Sequence, residues 1–343
     1  MNGRTRAGVF ARWEVLLVLI LIALVWLGVR LSPVFLSAQN FSNLTVAEME
    51  VAIIAVPMTL IIIAGEIDLS VESMVGLSSA VLGFLWAAGV PLWAGIFLVL
   101  IMGAVGGLLN GVLVMRAGLP SLVVTLGSLA LFRGLASVVL GPRAISNFPP
   151  EFNAFGFGSV PGTSVPWPLV VFAILAVVFG LVLHRTWLGR DIFAVGKNQV
   201  AARYSGVPVV RLKTGLFVLS GMLSAVAGVI LTSRLSSARA DAGQNMTLAV
   251  VTAVLLGGVN IFGGSGTIPG VVLAVFTLAV LQNALRLADV STELQSISVG
   301  LLLIVSVIVP NVARQAATFF RRARAERNPT RGARQSAPPF TPV

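Results

Sequence analysis

Apolar runs of near-bilayer length, separated by short polar or glycine-rich breaks, recur along most of this chain. A helix needs about 20 consecutive apolar residues to cross the hydrocarbon core of a membrane. By that measure ten spans are expected, near residues 14–31, 46–64, 72–88, 91–115, 120–140, 167–183, 214–232, 246–262, 267–286 and 294–310. The implied fold class is all-α, a polytopic membrane protein with about ten transmembrane helices and an internal repeat discussed below. Residues 1–13 read as a cytoplasmic N-terminal tail and 14–313 as the transmembrane domain. Residues 314–343 are rich in Arg and Pro and read as a basic, disordered cytoplasmic tail. The uncharged run 15–29 follows Arg4, Arg6 and Arg12. It is longer than a typical signal-peptide core and no small-x-small cleavage site follows it closely, so it reads as a retained helix.

The breaks carry a second pattern. Gly65-Glu66-Ile67-Asp68-Leu69 and Gly257-Gly258-Val259-Asn260-Ile261 each follow an apolar run and precede a small-residue-rich one. Leu109-Asn110-Gly111 and Gln282-Asn283-Ala284 form a weaker pair, each closing a span. Paired breaks suggest an internal duplication with binding elements near the repeat interface. The glycine breaks are not expected on equivalent sides of the membrane, which makes one of them a candidate re-entrant segment. Residues 141–166, rich in Gly, Pro, Phe and Ser, read as an external connection with a short interfacial helix.

Composition agrees with this class. Apolar residues make up 57% of the chain and charged residues only 10%, with a mean hydropathy of +0.99. Soluble domains carry about 25% charged residues, so this chain cannot cover a water-facing surface in the usual way. Charge then sets the orientation. With the N-terminus in the cytoplasm, seventeen of the 23 Lys and Arg residues are cytoplasmic. Arg30, Arg143, Arg234, Arg239 and Arg286 fall outside, and Arg133 lies within a span. This is the positive-inside pattern, with both termini cytoplasmic. It accounts for the basic tail after the last span, and no nucleic-acid partner is expected.

Candidate chemistry concentrates in the central loop. Asn198 is a good N-cap, Ala201, Ala202 and Arg203 favour helix, and Gly206 stands where a left-handed C′ residue belongs, with Pro208 just beyond. So short a helix is marginal alone in water. It makes physical sense as an element received by a partner protein, with Ala202 seated where little room exists. An ordinary positive-inside loop would explain the basic residues but not the caps. Gly196-Lys197 fails the phosphate-binding-loop spacing, because Asp191 stands where the first glycine belongs and Asn198 where Ser or Thr does. Any ATP hydrolysis must therefore come from elsewhere. Ser265 has no base for nucleophilic catalysis, since His184 lies in the central loop and no lysine falls inside an expected span. The chain has no cysteine, and no metal-ligand spacing appears. No cofactor is expected.

Arg133, more than ten residues into its span, is the outstanding buried charge. At the bilayer centre it would cost about 2.5–3.5 kcal/mol, so it should face protein or water. Asp68 is the natural partner, with Glu66 and Glu72 nearby. The pair reads either as an ion pair that fixes helix packing or as part of a solute path. The small residues of Gly103-Ala104-Val105-Gly106-Gly107 read as allowing close helix approach.

Together these segments resemble the permeases of the ribose/xylose/autoinducer-2/rhamnose group of bacterial ABC importers, over about residues 45–313. The resemblance rests on Gly65 to Ser70, the stretch from Thr125-Leu126-Gly127 to Arg133-Gly134, the loop from Gly189-Arg190 to Gly206, and Leu256 to Gly266. Glu66 departs from the commoner Gly-Gly-Ile-Asp, and Glu72 stands in place of a frequent glycine. Ser237 to Gly243 and Asn283 to Pro310 look most like rhamnose-type and autoinducer-2-type permeases. The resemblance implies translocation of a monosaccharide or sugar-like solute across a bacterial inner membrane. It also implies an ABC ATPase subunit, a second permease subunit, identical or a sister, and an extracytoplasmic solute-binding protein. It makes Gly189, Arg190, Gly196, Asn198, Ala201, Ala202 and Gly206 the ATPase-coupling segment. Glu66, Asp68, Ser70, Arg133 and Asn260 become candidates for the pathway or its buried charges. A gradient-driven secondary transporter is the main rival, sharing helix breaks and buried charges but having no need of a capped docking loop. A non-transport membrane scaffold is a third class.

Overall fold

A computed structural model describes residues 3–306 and 308 of the chain. The expected basic tail over 314–343, and the end of the last expected span, lie outside the described residues. Thirteen helices account for the fold of the described residues. They are α1 (Gly3–Leu31), α2 (Ala38–Ile63), α3 (Val71–Ala87), α4 (Leu92–Met115), α5 (Ser121–Leu140), α6 (Pro150–Phe157) and α7 (Trp167–Arg185). Then follow α8 (Trp187–Lys197), α9 (Gln199–Tyr204), α10 (Val209–Leu235), α11 (Met246–Leu256) and α12 (Ile268–Leu287), with α13 over Thr292–Ser306. The only extended pairing among the described residues is two isolated bridges, Ile145 with Ala238 and Ser159 with Pro166.

Each of the ten expected spans falls on one of these helices. Seven are long and apolar enough to cross a membrane, and α3, α11 and α13 are shorter apolar helices. The protein is thus an all-α polytopic membrane protein. Boundaries differ where polar residues are buried by protein instead of ending a span. Helix α2 starts at Ala38, eight residues before its expected span, because Asn40 and Thr45 ahead of that span are buried by protein. Helix α10 starts at Val209 and so includes Lys213, which is buried. Helix α11 ends at Leu256, well short of residue 262, where the glycine-rich break begins.

The core sits around α2, which packs against α7, α10, α11 and α12. In its most apolar stretch 94% of the residues are buried, against 11% in α1 and 17% in α7. The latter two therefore turn most of their apolar surface away from the bundle. Helices α4 and α10 meet along a glycine seam. A Cβ at Gly107 would overlap the Phe217 carbonyl, and one at Gly221 would overlap that of Gly103. Close backbone approach of this kind is how helices associate where lipid removes the hydrophobic drive. Helix α6 is the short helix expected in the connection between α5 and α7.

Candidate functional site

The two glycine breaks close their helices in the same way and then meet. Helix α2 ends with Gly65 at φ +84, its N–H donating to Ile62 O and that of Glu66 to Ile61 O, each at 3.0 Å. Helix α11 ends with Gly258 at φ +84, its N–H donating to Leu255 O at 3.0 Å. Both are left-handed C′ caps that a side chain would strain. The caps align Gly65 with Gly258, one residue away from the register read in the sequence, so Asn260 is not the counterpart of Asp68. The Gly264 N–H donates to Ile63 O at 2.8 Å, which places both breaks at one end of the bundle. The expectation that they lie on inequivalent sides is overturned. The even number of crossings between them returns the chain to the same side.

Beyond Gly65 the chain turns back into the bundle and builds a polar network. The Asp68 carboxylate accepts from Ser70 N at 3.0 Å, Ser70 Oγ at 2.6 Å and Ser220 Oγ of α10 at 2.8 Å. Asn110 of α4 donates to Ser70 Oγ at 2.9 Å and accepts from Ser128 of α5. One carboxylate thus joins the start of α3 to α4, α5 and α10 through hydroxyl and amide groups alone. Among the described residues no cation touches it, although it is 1% exposed.

Arg133 is elsewhere. Its guanidinium meets Glu72 at 3.1 Å, not Asp68, and the other Glu72 oxygen accepts from Thr247 N at 3.1 Å. The correction follows from helix rise. On α5, Ser128 sits at the level of the Asp68 network, and Arg133 lies five residues further, about 7 Å along the axis. Glu72, four residues after Asp68 and in the first turn of α3, is the carboxylate at that height. Asn260 joins neither cluster. Its side chain donates to Gly263 O at 3.2 Å and accepts from Phe262 N at 3.3 Å, which shapes the second break locally.

The central loop is two helices, not one. Thr186 caps α8, whose Gly189, Ile192 and Val195 are buried and whose Arg190 is exposed. A Cβ at Gly189 would overlap the Leu183 carbonyl, and one at Gly196 would overlap that of Ile63 at the end of α2. These glycines therefore set packing inside the chain. Asn198 caps α9, accepting from Ala201 N at 2.9 Å, and Gly206 is left-handed at φ +87. Ala201 is exposed, and so are Val200 at 63% and Tyr204 at 90%. Ala202, expected to face a partner, is only 6% exposed and packs into the chain's own core, because the helix turns its smallest inward position onto the bundle.

Sequence reasoning missed the group that joins these parts. Lys213, 3% exposed, donates to Glu66 at 2.6 Å and to Gln199 of α9 at 2.7 Å. It also missed two carboxylates of α2, Glu50 bonded to Arg234 at 2.7 Å and Glu48 to Arg286 at 3.4 Å. The rule that singled out Arg133 applies equally to Glu48 and Glu50, which fall within an expected span. The weaker asparagine pair divides its roles. Asn283 exchanges two 3.0 Å hydrogen bonds with Asn40 and locks α12 to α2, whereas Asn110 belongs to the Asp68 network.

With this geometry in view, comparison with known proteins is specific. The chain is 39% identical over 284 residues to the autoinducer 2 import system permease protein LsrD of Yersinia enterocolitica, covering 81% of this chain and 85% of that one. It is 37% identical over 302 residues to the protein of that name from Photorhabdus laumondii, covering 86% and 90%. The Escherichia coli K12 protein is 38% identical over 307 residues, covering 88% and 92%. No solved structure matches. Residues 40–307, from the start of α2 to the last described turns, match the family described as branched-chain amino acid transport system / permease component, and the chain belongs to that family.

Proposed function

We propose that this chain is the membrane-spanning permease subunit of an ATP-binding-cassette importer, carrying a sugar-like solute of the autoinducer-2 or rhamnose type into the cytoplasm. The solute class rests on the relatives, which are autoinducer 2 import permeases over more than four fifths of this chain. The end carrying α8 and α9 faces the cytoplasm and receives a separate ATPase subunit. The opposite end faces a soluble solute receptor, and a second permease subunit, identical or a sister, completes the pathway. The membrane is then the bacterial inner membrane, with both termini inside.

The observation that carries this reading is the link from α9 to the helix break. A six-residue helix capped at both ends presents Val200 and Tyr204 outward and is tied through Gln199 and Lys213 to Glu66. Motion imposed on α9 by a partner therefore reaches the start of α3 and the Asp68 network through charge-assisted hydrogen bonds, which are shorter and stronger than neutral ones. A gradient-driven transporter needs no such exposed, capped element, and the relatives do not favour it. The test is Val200→Asp together with Tyr204→Asp, which change exposed side chains only. Both proteins should insert and melt normally, while co-purification of the partner ATPase and solute-stimulated ATP hydrolysis in proteoliposomes fall sharply. Unchanged coupling would reject α9 as the ATPase contact. A binding screen of the soluble receptor that co-purifies with the importer names the solute.

A further inference from the structure

Three arginines, Arg133, Arg143 and Arg239, line one cavity of about 380 Å³ at the end of the bundle opposite α8 and α9. Ser137, Gln244 and Asp241 share its walls. Like charges gathered in one cavity repel unless something neutralises them, and the nearby carboxylates are already committed. Asp241 spends both oxygens on Arg239, at 2.9 and 2.8 Å. Its carboxyl is held below the usual carboxylate range, chiefly by those hydrogen bonds and in smaller part by the charge of Arg133, so the groups share one field. Glu72 spends one oxygen on Arg133 and the other on Thr247 N.

Two donor sets are left over. Arg143 has no ion pair or side-chain hydrogen bond among the described residues. The Arg133 Nε is buried and has no hydrogen-bond partner among the described residues. An unmade hydrogen bond from a buried charged donor costs more than one from a neutral group. Guanidinium groups satisfy such donors best with carboxylate or phosphate oxygens, which match their fork geometry.

We propose that this cavity is an oxyanion-binding site, in which Arg143 and Arg133 hold a carboxylate- or phosphate-type group and the Gln244 amide offers it a further hydrogen bond. The site lies apart from the Asp68 network and from α9, so the assignment does not depend on which solute the transporter carries. The oxyanion has two sources, a free solute anion or a lipid headgroup phosphate.

The test uses the full chain in a neutral maltoside micelle with inorganic phosphate as the probe, read by broadening of its phosphorus resonance. The wild type should broaden the signal reversibly. Arg143→Gln should weaken binding about tenfold or more, the size of one charge-assisted hydrogen bond. Asp241→Asn, which removes the cavity's one carboxylate, should tighten it. This opposite sign cannot come from misfolding, and both variants are checked by thermal melting. Absence of broadening in the wild type, or broadening indifferent to both substitutions, overturns the proposal. Adding phosphatidylglycerol then separates the sources, with a phosphate-free glycolipid as control. Displacement of the phosphate by phosphatidylglycerol alone assigns the site to a headgroup, and unchanged phosphate binding assigns it to a free anion.

Discussion

A lysine that is 3% exposed and bonded to both a carboxylate and an amide is a rigid joint, not a surface charge. Lys213→Met should leave Glu66 without its cation and free Gln199. The expected outcome is loss of solute-stimulated ATP hydrolysis while the ATPase still co-purifies, because the docking face of α9 is untouched. Retained stimulation would remove Lys213 from the coupling route. Arg133 makes a different kind of pair. Arg133→Leu strips Glu72 of its cation and should lower stability by about 1–3 kcal/mol, less than for a fully buried pair because Arg133 keeps 23% exposure. Adding Glu72→Gln should recover part of that loss, since removing both members costs less than stranding one. Adding Asp68→Asn should recover none, because Asp68 bonds to Ser70 and Ser220. Melting temperatures of the purified variants in detergent decide between the two.

Elements in this protein are held by close backbone contact as much as by side chains. The α4–α10 seam is the clearest case. Gly107→Leu would drive a side chain into the Phe217 carbonyl and should cost at least about 1–3 kcal/mol, seen as loss of monodisperse protein on extraction. In α9 the two ends tolerate different changes. Gly206 has open space around its Cα but sits at φ +87, so Gly206→Val is penalised by conformation alone, by about 1–2 kcal/mol. Gly206→Asn should be accepted, since Asn visits the left-handed region more readily. Coupling that survives both substitutions would show that the exit toward Pro208 need not be held in place. Ala202→Trp would disrupt the chain's own core before it met any partner, because Ala202 faces inward. It is therefore a poor probe of docking, whereas Tyr204 is a good one.

At the scale of the molecule, each end has its own character. One end gathers both helix breaks, the capped helices α8 and α9 and the Glu66–Lys213–Gln199 link. The other carries the arginine-lined cavity, α6 and the bonds from Arg234 and Arg286 to α2. If the first end is cytoplasmic, reporter fusions at Arg116 and Lys197 should read inside, and fusions near Phe155 and Ala240 outside. A cytoplasmic signal near Phe155 would sink this orientation and with it the placing of the ATPase on α9.

Hydropathy and caps were legible in the chain because they are local. Apolar runs near bilayer length located ten helices, and Asn198 and Gly206 marked the ends of α9 because a cap is decided within a few residues of backbone. The buried partners were not legible. Which carboxylate meets Arg133 depends on how far α3 is displaced along α5. The burial of Lys213 depends on α10 beginning before its apolar run. The side of α9 that holds Ala202 depends on where the bundle lies beneath it. Each of these is set by the relative height and rotation of packed helices. Residues far apart in sequence decide that geometry jointly, so it appears only once the tertiary structure brings them together.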